Sequence, residues 1–113
     1  MASAYEIPNL RFSLPAGGAV ARRRFVSVNA SELGVTANAT STVVGASANE
    51  TATGEVLEVY DGIVIVEASA AVNAGAKVSS TADGRAVTTT TGDVVGIAMT
   101  TAKAAGEFVS VKI

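Results

Sequence analysis

The sequence predicts an all-β fold, a small β-barrel or sandwich built from two pseudo-repeated β units with an extended N-terminal arm. Three observations carry that prediction. Short runs of Val, Ile and Leu are punctuated by Asp-Gly and other Gly-containing turns. The first part of the chain recurs, weakly, in the second at an offset of about 52 residues. The apolar fraction of 49% is supplied mostly by Val and Ala, with 4% aromatic residues and no Trp. A core of such small side chains is thin, because burying one Val contributes towards the low end of roughly 1.5–3 kcal/mol. Small β domains of this kind often complete themselves against copies or partners.

Residues 1–19 read as the arm. Pro8 and Pro15 interrupt any ladder, and Ala16-Gly17-Gly18 is loose. Tyr5, Ile7, Leu10, Phe12 and Leu14 nevertheless give the arm a density of large apolar groups that the rest of the chain scarcely matches. Such groups need a surface to lie on, either their own domain or a partner. Residues 20–113 read as one β domain, with pseudo-repeats at about 20–60 and 63–113, since about 100 to 150 residues is the commonest domain size. Arg22-Arg23-Arg24 leads into a strand at Phe25–Val28 with Val26 and Val28 on its inner face. Ser31 to Thr53 is rich in Ser, Thr, Ala and Asn around Val43-Val44 and predicts two short strands.

Glu55–Tyr60 and Ile63–Val66 read as the two arms of a hairpin turning at Asp61-Gly62, residues that tolerate positive φ. Leu57 and Val59 alternate with Glu58 and Tyr60, so one face of the first arm is expected to be wet, whereas the second arm is apolar on both faces. Ala68 to Ala76 predicts a connection ending in a tight turn at Gly75. Asp83-Gly84 marks a further hairpin into Arg85–Thr91, where the branched Thr side chains favour a strand. Asp93–Met99 and Glu107–Ile113 supply the closing strands, and a C-terminus inside a strand is expected to be tied down.

The repeat is a shared order of hydrophobic, turn and Gly-Glu positions. Val20 and Val26 match Val72 and Val78, and Val35-Thr36 matches Val87-Thr88. Val43-Val44-Gly45 matches Val94-Val95-Gly96 after a one-residue gap; Gly54-Glu55 matches Gly106-Glu107, with Leu57 on Val109 and Val59 on Val111.

Composition excludes much chemistry. Without Cys there is no disulfide framework or thiolate site, and without His the commonest metal ligand and general base is missing. No Ser-His-Asp arrangement, phosphate loop or metal-ligand cluster can be found, so no catalytic, cofactor-binding or metal site is expected. The net charge of −2 is unevenly spread. The front is basic through Arg11, Arg22, Arg23 and Arg24; the middle carries Glu32, Glu50, Glu55, Glu58, Asp61 and Glu67 without a single Lys or Arg. That asymmetry favours contact between neighbouring copies. The Arg triplet lacks the interleaved aromatics and overall basicity of a nucleic-acid binder, so no nucleic acid is expected. Neither a signal peptide nor a membrane span is recognisable, which predicts synthesis in the cytoplasm and no membrane partner.

The second half reads Ile63-Val-Ile-Val-Glu-Ala-Ser-Ala-Ala-Val-Asn-Ala-Gly-Ala-Lys-Val78, then Asp93-Val-Val-Gly-Ile-Ala98, then Ala105-Gly-Glu-Phe-Val-Ser-Val111. In this order of motifs, in length and in small-residue composition, it resembles the small tailed-phage capsid decoration (cement) proteins, long catalogued as a domain of unknown function. The resemblance covers Val56 to Ile113, and the first half through the repeat. It implies a virion protein on the outer surface of an icosahedral head, bound to the major capsid protein and to itself as a homotrimer, stabilising the shell by clamping neighbouring subunits. Under that implication Tyr5, Ile7, Leu10, Phe12 and Leu14 are candidate apolar anchors. Arg11, Arg22, Arg23 and Arg24 would meet carboxylates on the shell or on a neighbour's acidic middle. The alternatives are another phage structural piece, a tail tube or head-fibre base, and a cytosolic ligand-binding β module.

Overall fold

The computed structural model describes residues 4–90 and 93–113. The strands are β1 (Ile7–Pro15), β2 (Phe25–Val28), β3 (Gly34–Thr36), β4 (Gly45–Ser47), β5 (Val56–Glu67), β6 (Lys77–Ser80), β7 (Ala86–Thr88), β8 (Gly96–Ala98) and β9 (Phe108–Lys112). All pair antiparallel in one curled sheet, a half-barrel, in the order β3-β2-β4-β5-β9-β8-β6-β7, with β1 on β5. The strand expected over Arg85–Thr91 is confined to β7; Thr91 lies outside the described residues.

The hairpin expected at Asp61-Gly62 does not exist. β5 runs through both residues as one strand of 12 residues. Gly62 does hold a positive φ of 120°, but the reason is close approach rather than reversal. A Cβ there would lie 2.6 Å from the Asn9 amide nitrogen and 2.8 Å from the Ile7 carbonyl oxygen. β1 carries a register shift between Pro8 and Leu10 at the same place, so the pair of strands bulges together. The interruption expected from Pro8 takes this form, and Pro15 is the last residue of β1. Both prolines are tolerated because β1 is bonded to β5 alone among the strands, leaving its other edge free of any ladder.

The ladders explain why the chain continues straight. β1 pairs the first half of β5 as Arg11↔Tyr60, Ser13↔Glu58 and Pro15↔Val56. β9 pairs the second half as Ile63↔Lys112, Ile65↔Ser110 and Glu67↔Phe108, the same pairs advanced by about 52 residues. Pairs Val26↔Thr36 and Val28↔Gly34 recur as Val78↔Thr88 and Ser80↔Ala86. The bridges Ala16↔Gly34 and Val20↔Thr51 recur as Ala68↔Ala86 and Val72↔Ala102. β5 is therefore the last strand of one unit and the first strand of the next, and β1 stands in the first unit where the second half of β5 stands in the second.

Each unit builds the same small core. Ala16, Val20, Val26, Leu57 and Val59 form one cluster, against which Phe12, Leu14 and Val44 pack. Their counterparts Ala68, Val72, Val78, Val109 and Val111 belong to the other cluster, with Val64, Val66 and, partly buried, Val95. That second cluster also takes in Phe25, Ala46, Val43 and Tyr60 of the first unit. Phe25 pairs Ala46 and Ala46 pairs Tyr60, so these three share the face of the first unit opposite Val26 and Val59. The second unit's core is thus covered by the first unit's back. Val28, expected to face inward beside Val26, is 43% exposed.

The joint between units is polar at its rim. The Phe25 amide donates to Gly84 O at 2.7 Å, and the Glu67 amide donates to Arg23 O at 2.9 Å. Arg24 lies 3.5 Å from the Glu67 carboxylate and 3.7 Å from that of Asp83, which Arg85 also approaches at 3.0 Å. The Thr81 hydroxyl donates to Asp83 and, with the Arg85 and Arg24 guanidiniums, holds its carboxyl below the ordinary value, although partial burial acts in the opposite direction. Of three asparagines preceding Ser or Thr by two positions, two serve turns and the third ties its loop to β5. Asn29 Oδ1 accepts from the Ser31 and Leu33 amides, Asn38 Oδ1 from the Thr40 amide, and Asn49 Oδ1 from the Glu58 amide.

Two sets of measurements check this account. Gly45 and Gly96 occupy one repeat position where β4 meets β5 and β8 meets β9. A Cβ on Gly45 would come 2.5 Å from Tyr60 O, and one on Gly96 would overlap Lys112 O. Gly45→Ala and Gly96→Ala should each lower unfolding stability by about 1–3 kcal/mol in denaturant titrations. At the position matching Gly84 (φ 78°), the first unit has Glu32 with φ 67°, so Glu32→Gly should raise stability by about 0.5–1 kcal/mol. Asp83 sets the second test. Because its folded pKa is depressed, the stability it contributes is present above the usual carboxylate range near pH 4 and is lost as pH falls through the folded value. Asp83→Asn should therefore flatten the acid limb of a stability-versus-pH curve and leave its neutral-to-basic shape unchanged.

Candidate interaction surface

The sequence-predicted contact residues fall into three groups. Phe12 and Leu14 are half-buried against the first unit's core, so for these two the surface that the arm needs is its own domain. Tyr5, Ile7 and Leu10 remain 39%, 60% and 54% exposed. Ile7 and Leu10 lie on β1, and the Tyr5 amide donates to Ser110 Oγ at 2.6 Å, laying the chain across β9. The arginines form the third group. Arg23 pairs with Glu6 at 2.6 Å and Arg24 with Glu67 and Asp83, so both carry carboxylate partners from this chain. Arg22 Nε donates to Ala48 O at 3.0 Å, and the Arg11 guanidinium stands over the Tyr60 ring, 5.3 Å from its centroid. Neither Arg11 nor Arg22 forms an ion pair among the described residues.

A second apolar surface escaped the residue-type reading. Lys77 pairs Ile97, Ile97 pairs Lys112, Lys112 pairs Ile63, and Ile63 pairs Ile7, so this row shares one outer face of the sheet. It is the second unit's back, the counterpart of Phe25, Ala46 and Tyr60. Here the back is open: Val94 is 50%, Ile97 38%, Met99 40% and Phe108 50% exposed. Their repeat counterparts are Val43, Ala46, Ala48 and Val56. The exposed set includes side chains larger than the set it matches, and aligning the two units residue by residue would have exposed that signal.

Among the described residues no group of three or more His, Cys, Asp and Glu is placed to hold a metal ion, and no helix is long and apolar enough to cross a membrane. The surface presents apolar side chains on stiff strands, with Lys77 and Lys112 on either side of Ile97.

The fold is similar to that in the crystal structure of the head fiber gp8.5 N base in bacteriophage phi29, with a TM-score of 0.74 at 20% sequence identity, covering 92% of each chain. At that identity the likeness is one of fold. No curated protein matches the sequence. The phage cement protein family matches residues 6–113, nearly the whole chain. The chain belongs to the phage cement protein family and is a phage structural protein associated with the capsid of the virion.

Proposed function

We propose that the chain binds the outer face of an icosahedral phage head and clamps neighbouring major capsid subunits, as homotrimers at threefold or quasi-threefold positions. Its action is binding alone, with no catalytic step, no cofactor and no nucleic-acid contact. A ligand that binds the assembled shell and not its separated parts stabilises the shell by mass action, and buried area across a subunit joint raises the free energy of parting it. The carrying observation is the free outer edge of β1, where Ile7 and Leu10 stay more than half exposed. Residues 1–19 act as the docking arm in this scheme, with Tyr5, Ile7 and Leu10 as anchors, while Arg11 and Arg22 meet shell carboxylates. The likeness to a head fiber base favours one other role, the base of a head fibre.

Copy number tests the clamp. Quantitative mass spectrometry of purified particles should give a ratio to the major shell protein near one to one; a handful of copies per particle would point to the tail or a single vertex instead. The anchors are tested without removing Phe12 and Leu14 from the core. Ile7→Ser with Leu10→Ser should leave the unfolding transition in place and weaken uptake by bare shells at least about tenfold, since burying each side chain contributes roughly 1.5–3 kcal/mol. Unchanged uptake would remove β1 from the contact.

A further inference from the structure

The second unit's back is built to meet another copy of this chain, we infer, through the start of that copy's β5. This rests on the reading that the chain works as several copies on a shell, and it names the surfaces by which copies hold each other. The repeat provides the first observation. In the first unit the back row Phe25, Ala46 and Tyr60 is covered by the second unit's core. In the second unit the same row reads Lys77, Ile97 and Lys112; the Tyr5 backbone lies over Ser110 beside it, while Lys77, Ile97 and Lys112 themselves stay exposed. Around it the chain keeps Val94, Met99 and Phe108 exposed, where solvation alone would favour polar side chains.

Charge identifies the occupant. Lys77 and Lys112 flank Ile97 on this face, both are exposed, and neither forms an ion pair among the described residues. The complementary surface has an exposed apolar group beside a carboxylate, and this chain carries one. Val56 is 64% exposed and Glu58 shares its face of β5, whereas the Glu55 carboxylate turns back to accept from the Ala52 amide at 2.6 Å. Glu58, like Glu55, is exposed and has no ion-pair partner among the described residues. Lys112 pairs the second half of β5 whereas Val56 and Glu58 begin its first half, so one molecule cannot bring the two surfaces together. Contact between different patches on successive copies is heterologous, and it closes into a ring when the rotation permits. Val56 seats against Ile97, with Glu58 beside Lys112.

Charge reversal tests the contact in the full chain. In sedimentation velocity the wild type should run as a closed multiple of its 11.2 kDa mass. Lys112→Glu or Glu58→Lys alone should weaken self-association at least about tenfold, and the two together should restore it, because a reversed pair attracts again. Both positions are exposed, so circular dichroism should show the fold unchanged in all three variants. A wild type that stays monomeric at millimolar concentration, or an oligomer that neither reversal weakens, would overturn the contact. Uptake by bare shells, measured in parallel, keeps the two claims apart. Should the reversals behave as expected while shells take up no wild-type chain, the cement role falls and the self-contact stands. Should reversals abolish shell uptake in a chain that never self-associates, the face docks on the shell and the self-contact falls.

Discussion

The double use of β5 is the constraint from which the rest of the structure follows. Tyr60 is bonded to Arg11 of β1 on one edge and to Ala46 of β4 on the other, while Ile63 is bonded to Ile7 and to Lys112 of β9. A strand so occupied cannot reverse at its centre without leaving donors and acceptors unpaired. Two units that could each have ended in a frayed edge are fused through an unbroken ladder. The fusion also fixes their faces. Leu57 and Val59 enter the first unit's core on one side of β5, while Val64 and Val66 enter the second unit's core on the other.

That alternation explains how a chain so poor in large side chains folds. Neither unit could bury much alone, since the shared core positions are Ala, Val and one Leu. Stacking the first unit's back on the second unit's core adds Phe25 and Tyr60, the largest groups in either cluster apart from Phe12. The arrangement is asymmetric by necessity, because two units stacked in one direction leave one back uncovered. An apolar back with Lys77 and Lys112 on either side of Ile97 is the geometric remainder of the fold.

Much of this was legible in the sequence. The repeat, the all-β class, the short strands after Ser31 and the turn at Gly75 follow from period-2 patterning and glycine placement, which are local signals. The misreading at Asp61-Gly62 shows the limit of local signals. Asp-Gly between two apolar runs is strong hairpin chemistry, and only the β1 backbone packed against Gly62 gives that glycine its other purpose. The candidate contacts divided for a similar reason. Arg23 and Arg24 looked available because their partners Glu6, Glu67 and Asp83 are brought close by folding, across up to half the chain. Ile97 and Met99 were read only as part of a closing strand, because nothing in their own neighbourhood says that the covering unit is missing.

The most direct measurement is the temperature at which DNA-filled particles release their genome, compared with and without this chain and again after purified chain is added back. Particles lacking it should release DNA at a lower temperature, and the added chain should restore the higher one. Equal release temperatures in all three samples would contradict a stabilising role on the shell.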